Sequence, residues 1–332
     1  MMQQKAVSGY TFAILLTLLG GCAAPGYKAI QDQPGNLPER AAVDNVPFYP
    51  QEDYYCGPAS LAMMLNWADI PVTQEEIARQ VYTPGRQGTL PVDLLSGARR
   101  NGVLAVEVAS LRDLLGEIAA GHPVLVFQNL GLGPWPQWHF AVAHEYDLAT
   151  ETLVLHSGEN PDHVANLNAF ERTWARADYW AVTITKPDHL PAMANVNAVI
   201  SAAAGLERAG QLTAAATAYE TIIRRWPNTL AARIGLGNVM YAQDKFSAAS
   251  KHYRTAIEID PEYAPAWNNL AYALSRLGHK HDAIDAAERA VALGKDNNED
   301  YKDTLRKCGL PANRQAELLR APGRQVYFYI GC

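Results

Sequence analysis

Apolar residues at Leu61, Met64, Leu65 and Ala68 fall at i, i+3, i+4 and i+7, the spacing of one buried helix face. The helix they predict opens at Cys56-Gly57-Pro58, since a proline in the first turn lacks only an N–H that would have no partner there. The runs TQEEIARQVY (73–82), LPVDLLSGARRNG (90–102) and SLRDLLGEIAAG (110–121) also read as helices. Thr73 with Glu76 forms a capping box, and Gly121 stops the last of them. Strand-like runs with turns between them follow: HPVLVFQNL (122–130), WHFAVAHEYD (138–147), ETLVLHSG (151–158) and DYWAVTITK (178–186). Helices first and an antiparallel sheet after them predict an α+β domain over about residues 46–186. A linker over 187–195 leads to a second part of different character.

That second part has a period. Trp226-Pro227-Asn228 recurs as Asp260-Pro261-Glu262, 34 positions later. At the same offset Ala215, Ala249 and Ala283 align, as do Tyr219 with Tyr253 and Ala203 with Gly237 and Ala271. The pattern resembles the tetratricopeptide repeat, in three units over 196–229, 230–263 and 264–297, the third without its closing proline. An all-α solenoid is expected, with NEDYKDTLRKCG as a capping helix within a C-terminal segment 298–332. The resemblance implies a concave face that takes a peptide or protein partner.

The N-terminus carries Lys5, an apolar run from Thr11 to Leu19, and Gly20-Gly21 before Cys22. The run is too short to span a bilayer, and its order is that of a secretion signal over 1–21. Leu19-Gly20-Gly21-Cys22 resembles the bacterial lipobox, which implies cleavage before Cys22, acylation of that cysteine and anchoring in the outer membrane, facing the periplasm. Removing 1–21 takes away Lys5 and no acid, so the net charge moves from −6 to −7. Residues 22–45 are rich in Pro, Gly, Gln and Ala and read as a flexible tether with a reach of roughly 25–30 Å.

The acidic balance, with no basic stripe, argues against nucleic acid as a partner. The four cysteines, Cys22, Cys56, Cys308 and Cys332, form no C-x-x-C pair, so neither a structural zinc site nor another cofactor is implied. Cys308 and Cys332 are open to pairing with each other. Cys56 is different. At a helix N-terminus the dipole stabilises a thiolate, which predicts a lowered thiol pKa and a nucleophile in need of a base.

Gln51, four residues, then CGPAS, with GHPVLVF and WHFAVAHEYD downstream, resembles the papain-like bacteriocin-processing peptidases that cut after double-glycine leaders. The resemblance covers about 46–186 and implies a papain-like α+β fold. By it Cys56 is the nucleophile, His139 the base and Gln51 a side-chain donor to the oxyanion beside the Cys56 N–H. His139 is preferred to His144 because Trp138 precedes it and FAVA follows. The related peptidases carry an Asp in the window read here as LVLHSGEN (153–160). That window offers His156, Ser157 and Asn160, and His156 is the expected orienting group. The whole implies a membrane-anchored cysteine peptidase acting on a peptide or protein, with repeats that recruit it. The alternatives are a cell-wall amide hydrolase of the same mechanism and a degenerate domain that binds peptide without cutting.

Overall fold

The strand-like runs assemble into one antiparallel sheet. A computed structural model of the chain describes residues 24–50, 55–86, 88–132, 134–294 and 299–309. The expected signal peptide, Cys22, Gln51, Cys332 and the tail after 309 lie outside the described residues. The strands are β1 (Arg40–Ala42), β2 (Leu104–Glu107), β3 (Val124–Asn129), β4 (Trp138–Asp147), β5 (Thr152–Ser157), β6 (Asn160–Asn166) and β7 (Ala181–Thr185). Their order is β2-β7-β3-β4-β5-β6, and β1 pairs with the far end of β4, Arg40 opposite Asp147.

Helices cover both faces. On one lie α2 (Cys56–Trp67), α3 (Gln74–Val81) and α4 (Pro91–Arg100), with Leu61, Met64 and Leu65 in one core with Leu125, Phe140 and Val142. Thr73 Oγ1 accepts from the Glu76 N–H at 3.2 Å, and the Glu76 carboxylate accepts from the Thr73 N–H at 2.8 Å, which is the expected capping box. On the other face lie α1 (Pro25–Asp32), α5 (Leu111–Ala119) and α6 (Leu167–Ala175), where Leu114, Phe170 and Trp174 meet Val124, Ala141 and Ala143. The pattern reading had named neither α1 and α6 nor β1, β2 and β6.

Residues 24–45 do not form the expected tether. Tyr27 and Ile30 of α1 are buried in the domain core, and Glu171 of α6 accepts the Gly26 and Tyr27 N–H groups at 2.8 and 2.5 Å. A carboxylate there satisfies the unpaired amides of a helix start and suits its dipole. The two apolar side chains, one turn apart, outweigh the breaker residues around them.

The second part is a helical stack: α7 (Val196–Arg208), α8 (Leu212–Arg225), α9 (Leu230–Ala242), α10 (Phe246–Ile259), α11 (Ala264–Arg276) and α12 (Lys280–Leu293), closed by α13 (Glu299–Gly309). Ala215, Ala249 and Ala283 are fully buried where the helices approach. Cys308 is buried on α13, its Sγ 4.0 Å from the Ala271 carbonyl oxygen, and burial pushes its thiol up to about 11. The two parts share a core, since Leu104 and Val106 of β2 pack with Val199 and Ala203 of α7. The linker is tied down as well. Glu117 of α5 accepts the Ala192 and Met193 N–H groups at 3.1 and 2.6 Å.

Candidate active site

Cys56 opens α2, and the start of that helix is crowded. A Cβ at Gly57 would stand 2.8 Å from Thr89 Cβ and 3.0 Å from its Oγ1, so the glycine of CGP admits the close approach of Thr89. Thr89 Oγ1 is itself buried without a hydrogen-bond partner among the described residues.

The sulfur meets the sheet at an open edge. Phe127 donates its N–H to the Trp180 carbonyl at 3.1 Å, so its peptide groups face β7. Phe140, opposite Phe127 in the β3–β4 ladder, therefore turns its N–H away from β3. On that side the register of β5 with β4 reaches only Val142 opposite His156, which leaves the Phe140 amide unclaimed by the ladder. The amides of Phe140, Gly57 and Cys56 favour the Cys56 thiolate. Burial is the largest influence on the thiol and pushes it above its ordinary value; the three amides oppose it without prevailing. The lowered pKa expected from helix position alone is thereby corrected, because burial against a core drawn from several parts of the chain outweighs it.

His139, one residue before Phe140, is half-buried at the start of β4. Its Nε2 lies 2.8 Å from Ser157 Oγ. Burial, and secondarily nearby His163, hold its pKa down at about 4. At neutral pH the two groups therefore rest as a thiol and a neutral imidazole. With Nε2–H donating to Ser157, the Nδ1 lone pair is left for a proton acceptor's task.

The expected orienting residue is not beside the base. His156 meets the Pro161 carbonyl through Nδ1 and the Val46 carbonyl through Nε2, the latter at 3.1 Å, and neither nitrogen faces His139. Neighbouring strand residues point to opposite faces, so with Ser157 toward His139, His156 must turn away. Asn160 is engaged locally, its Oδ1 accepting the Asp162 N–H at 3.2 Å. His144 packs against His156, ring centroids 4.2 Å apart.

Sequence reasoning also passed over the loop before the base. Asn129 Oδ1 accepts the N–H groups of Gly131 and Gln137 at 3.0 and 2.9 Å, and Arg176 donates to the Gly131 carbonyl at 2.8 Å. The braced loop presents Leu132 at 67% exposure and Trp135 at 77%, beside half-exposed Trp138. Exposed apolar side chains held by a fixed backbone make a contact surface rather than a core. The run LGLGPWPQW (130–138), two tryptophans among turn residues, was the available signal.

The low pKa of His139 has a consequence for stability. The unfolded chain binds a proton on this residue near pH 6.5 and the folded chain only near 4, so stability is full above about 6.5 and falls as pH drops toward 4. Urea midpoints should decline from pH 7 to pH 4, and His139→Gln should make that decline shallower without removing it, since burial lowers the pKa of His144 over the same range. An equal slope in both proteins would show that another group dominates.

Residues 43–182 match the model of the Peptidase_C39 like family, residues 237–278 a TPR repeat model and residues 264–297 a tetratricopeptide repeat model. Among curated proteins, Hsp70-Hsp90 organizing protein 1 of Arabidopsis thaliana is 37% identical over 71 residues, 21% of this chain and 12% of that protein. The peroxisomal targeting signal receptor of Kluyveromyces lactis is 34% identical over 61 residues, 18% of this chain and 11% of that protein. The chain thus spans about an eighth or less of the length of these relatives. Among solved structures, a C39-like peptidase from Bacillus anthracis is similar at 21% identity and a TM-score of 0.39, over 45% of this chain and 98% of that one. The first TPR of Spaghetti (RPAP3), solved with an HSP90 peptide, is similar at 17% identity and a TM-score of 0.33, over 38% of this chain and 94% of that one.

Proposed function

We propose that this chain, a C39-peptidase-like domain followed by tetratricopeptide repeats, is a cysteine peptidase in which Cys56 attacks a peptide carbonyl and His139 moves the protons. One observation carries the reading: His139 is held through Nε2 by Ser157 at 2.8 Å, and the amide of its neighbour Phe140 favours the Cys56 thiolate. His139 Nδ1 takes the thiol proton as sulfur bonds to the carbonyl carbon, and the oxyanion accepts the Cys56 N–H and the Gln51 side chain. The C–N bond breaks as His139 returns the proton to the leaving amine. Water then attacks the thioester with His139 again as base, releasing the acid and restoring the thiol. Because both groups rest neutral, proton transfer accompanies attack instead of preceding it. The apolar rim of Leu132, Trp135 and Trp138 suits substrates with large apolar side chains near the cut.

The repeats would hold the substrate or a protein partner. Cys22 would carry the lipid anchor, with the protein at the outer membrane facing the periplasm. Since Ala24 and Tyr27 are already tied into the folded domain, the anchor would hold it close to the bilayer instead of floating it on a long tether.

A second reading, a domain that binds peptide without cutting, is favoured by the neutral Ser157 where related peptidases have a carboxylate to stabilise the imidazolium. Digestion of a peptide library followed by mass spectrometry separates the two. Cysteine-dependent cleavage products, absent with Cys56→Ala, support the peptidase; intact peptides bound equally by both proteins support the binding domain.

A further inference from the structure

Away from the thiol, two irregularities in adjacent ladders meet. Between β4 and β5 the register passes from Ala143 opposite Leu155 to Glu145 opposite Val154, so His144 is an extra residue on β4. Between β5 and β6 it passes from Leu155 opposite His163 to Ser157 opposite Asn160, so His156 faces both Pro161 and Asp162. Bulges re-aim side chains, and these two bring His144, His156 and Asp162 from three neighbouring strands to one point. One ligand atom from each lies within 4.8 Å of the others, and His144 Nε2 is 3.7 Å from Asp162 Oδ1.

The donors there lack a counterpart. His144 is 8% exposed, and its Nε2 is buried without a hydrogen-bond partner among the described residues. His156 is 5% exposed, and its Nε2 is placed to donate to the Val46 carbonyl at 3.1 Å. Its Nδ1 meets the Pro161 carbonyl. The unpartnered His144 nitrogen, the His156 ring and the Asp162 carboxylate converge on one point, a donor set that suits a cation.

We propose that His144, His156 and Asp162 form a binding site for a divalent transition-metal ion of the zinc type. Two imidazoles and one carboxylate suit zinc, cobalt or nickel and disfavour magnesium and calcium, which prefer all-oxygen sets. Three protein ligands leave a fourth tetrahedral position, which water can fill. The Val46 carbonyl has the role of the outer acceptor that fixes a ligating histidine's tautomer. Ligand atoms on a tetrahedral ion stand about 3.3 Å apart, a value that follows from bond lengths near 2.0 Å. Closing from the observed spread falls to Asp162, whose side chain is 70% exposed and free to change rotamer. The ion would tie the 46–50 segment to the β5–β6 corner and steady Ser157, the residue next to His156. Binding itself does not depend on the peptidase reading.

The test uses the full chain carrying Cys56→Ala, so that the thiol contributes no ligand, stripped with chelator and titrated with Co²⁺. The expected result is a visible Co²⁺ absorption saturating at one equivalent without thiolate charge transfer, displaced by Zn²⁺ and not by Mg²⁺. Asp162→Asn, at an exposed position that leaves the core untouched, should weaken Co²⁺ affinity at least tenfold while the melting temperature in chelator stays unchanged. His144→Gln should abolish the absorption. No saturating absorption, or one that survives Asp162→Asn at unchanged affinity, overturns the proposal.

Discussion

Replacing His139 with alanine lowers the rate of peptide hydrolysis by about 10³-fold, within the 10²–10⁴ that a positioned general base contributes. The effect is large here because the thiol cannot ionise unaided: burial holds Cys56 above its ordinary pKa, so no standing thiolate remains once the base is gone. Ser157→Ala should cost less, about tenfold in kcat with KM little changed, since a serine fixes the ring without carrying charge. Its effect should be largest at neutral pH, where the tautomer held by Nε2–H matters. Rates measured on a peptide found by library digestion would show this. A His139→Ala protein within tenfold of wild type would remove the histidine from the mechanism.

Gly237→Val should unfold the repeats locally and cost about 3 kcal/mol or more, at the upper end for forced overpacking. A Cβ at Gly237 would stand 2.4 Å from Tyr253 Cε1, and that ring has nowhere to go. Tyr253 is fully buried, and its hydroxyl donates to Asn238 Oδ1 at 2.9 Å, where the Asn269 amide also donates at 3.1 Å. Displacing the ring therefore breaks a buried polar network as well as a packing contact. Thermal melts followed by circular dichroism should show a drop of several degrees. A melting temperature within about one degree of wild type would mean that the stack accommodates the branch.

What could be read from the sequence follows from what is local. The repeat phase was legible because the same small and aromatic residues return at a fixed interval, and the helix beginning at Cys56 because Gly-Pro and the apolar spacing mark its start. The pairing of β4 with β5 brought residues 156–159 toward His139, as the short turn between them suggests. Choosing among them needed the face of each side chain. Alternation gave that place to Ser157 and turned His156 to the other side, where a bulge not visible in the pattern set it beside His144 and Asp162. Residues 24–45 look like a tether by composition: Tyr27 and Ile30 lie on one helix face, but the site that receives them comes from α5 and α6, far along the chain, with Glu171 at its mouth. The Cys56 pKa failed for a similar reason. Helix position is local, whereas the crowding that outweighs it is tertiary.

The most direct measurement of the central claim is covalent labelling of Cys56 by a peptidyl fluoromethyl ketone, whose reaction needs both a nucleophilic sulfur and a correctly placed imidazole. Intact-mass and fragment spectra should place a single adduct on Cys56. Its rate should fall as pH drops through about 4, where His139 takes a proton, and should collapse in His139→Ala. Labelling of Cys56 at the same rate in wild type and His139→Ala, or no labelling while iodoacetamide still reaches the thiol, would contradict the account.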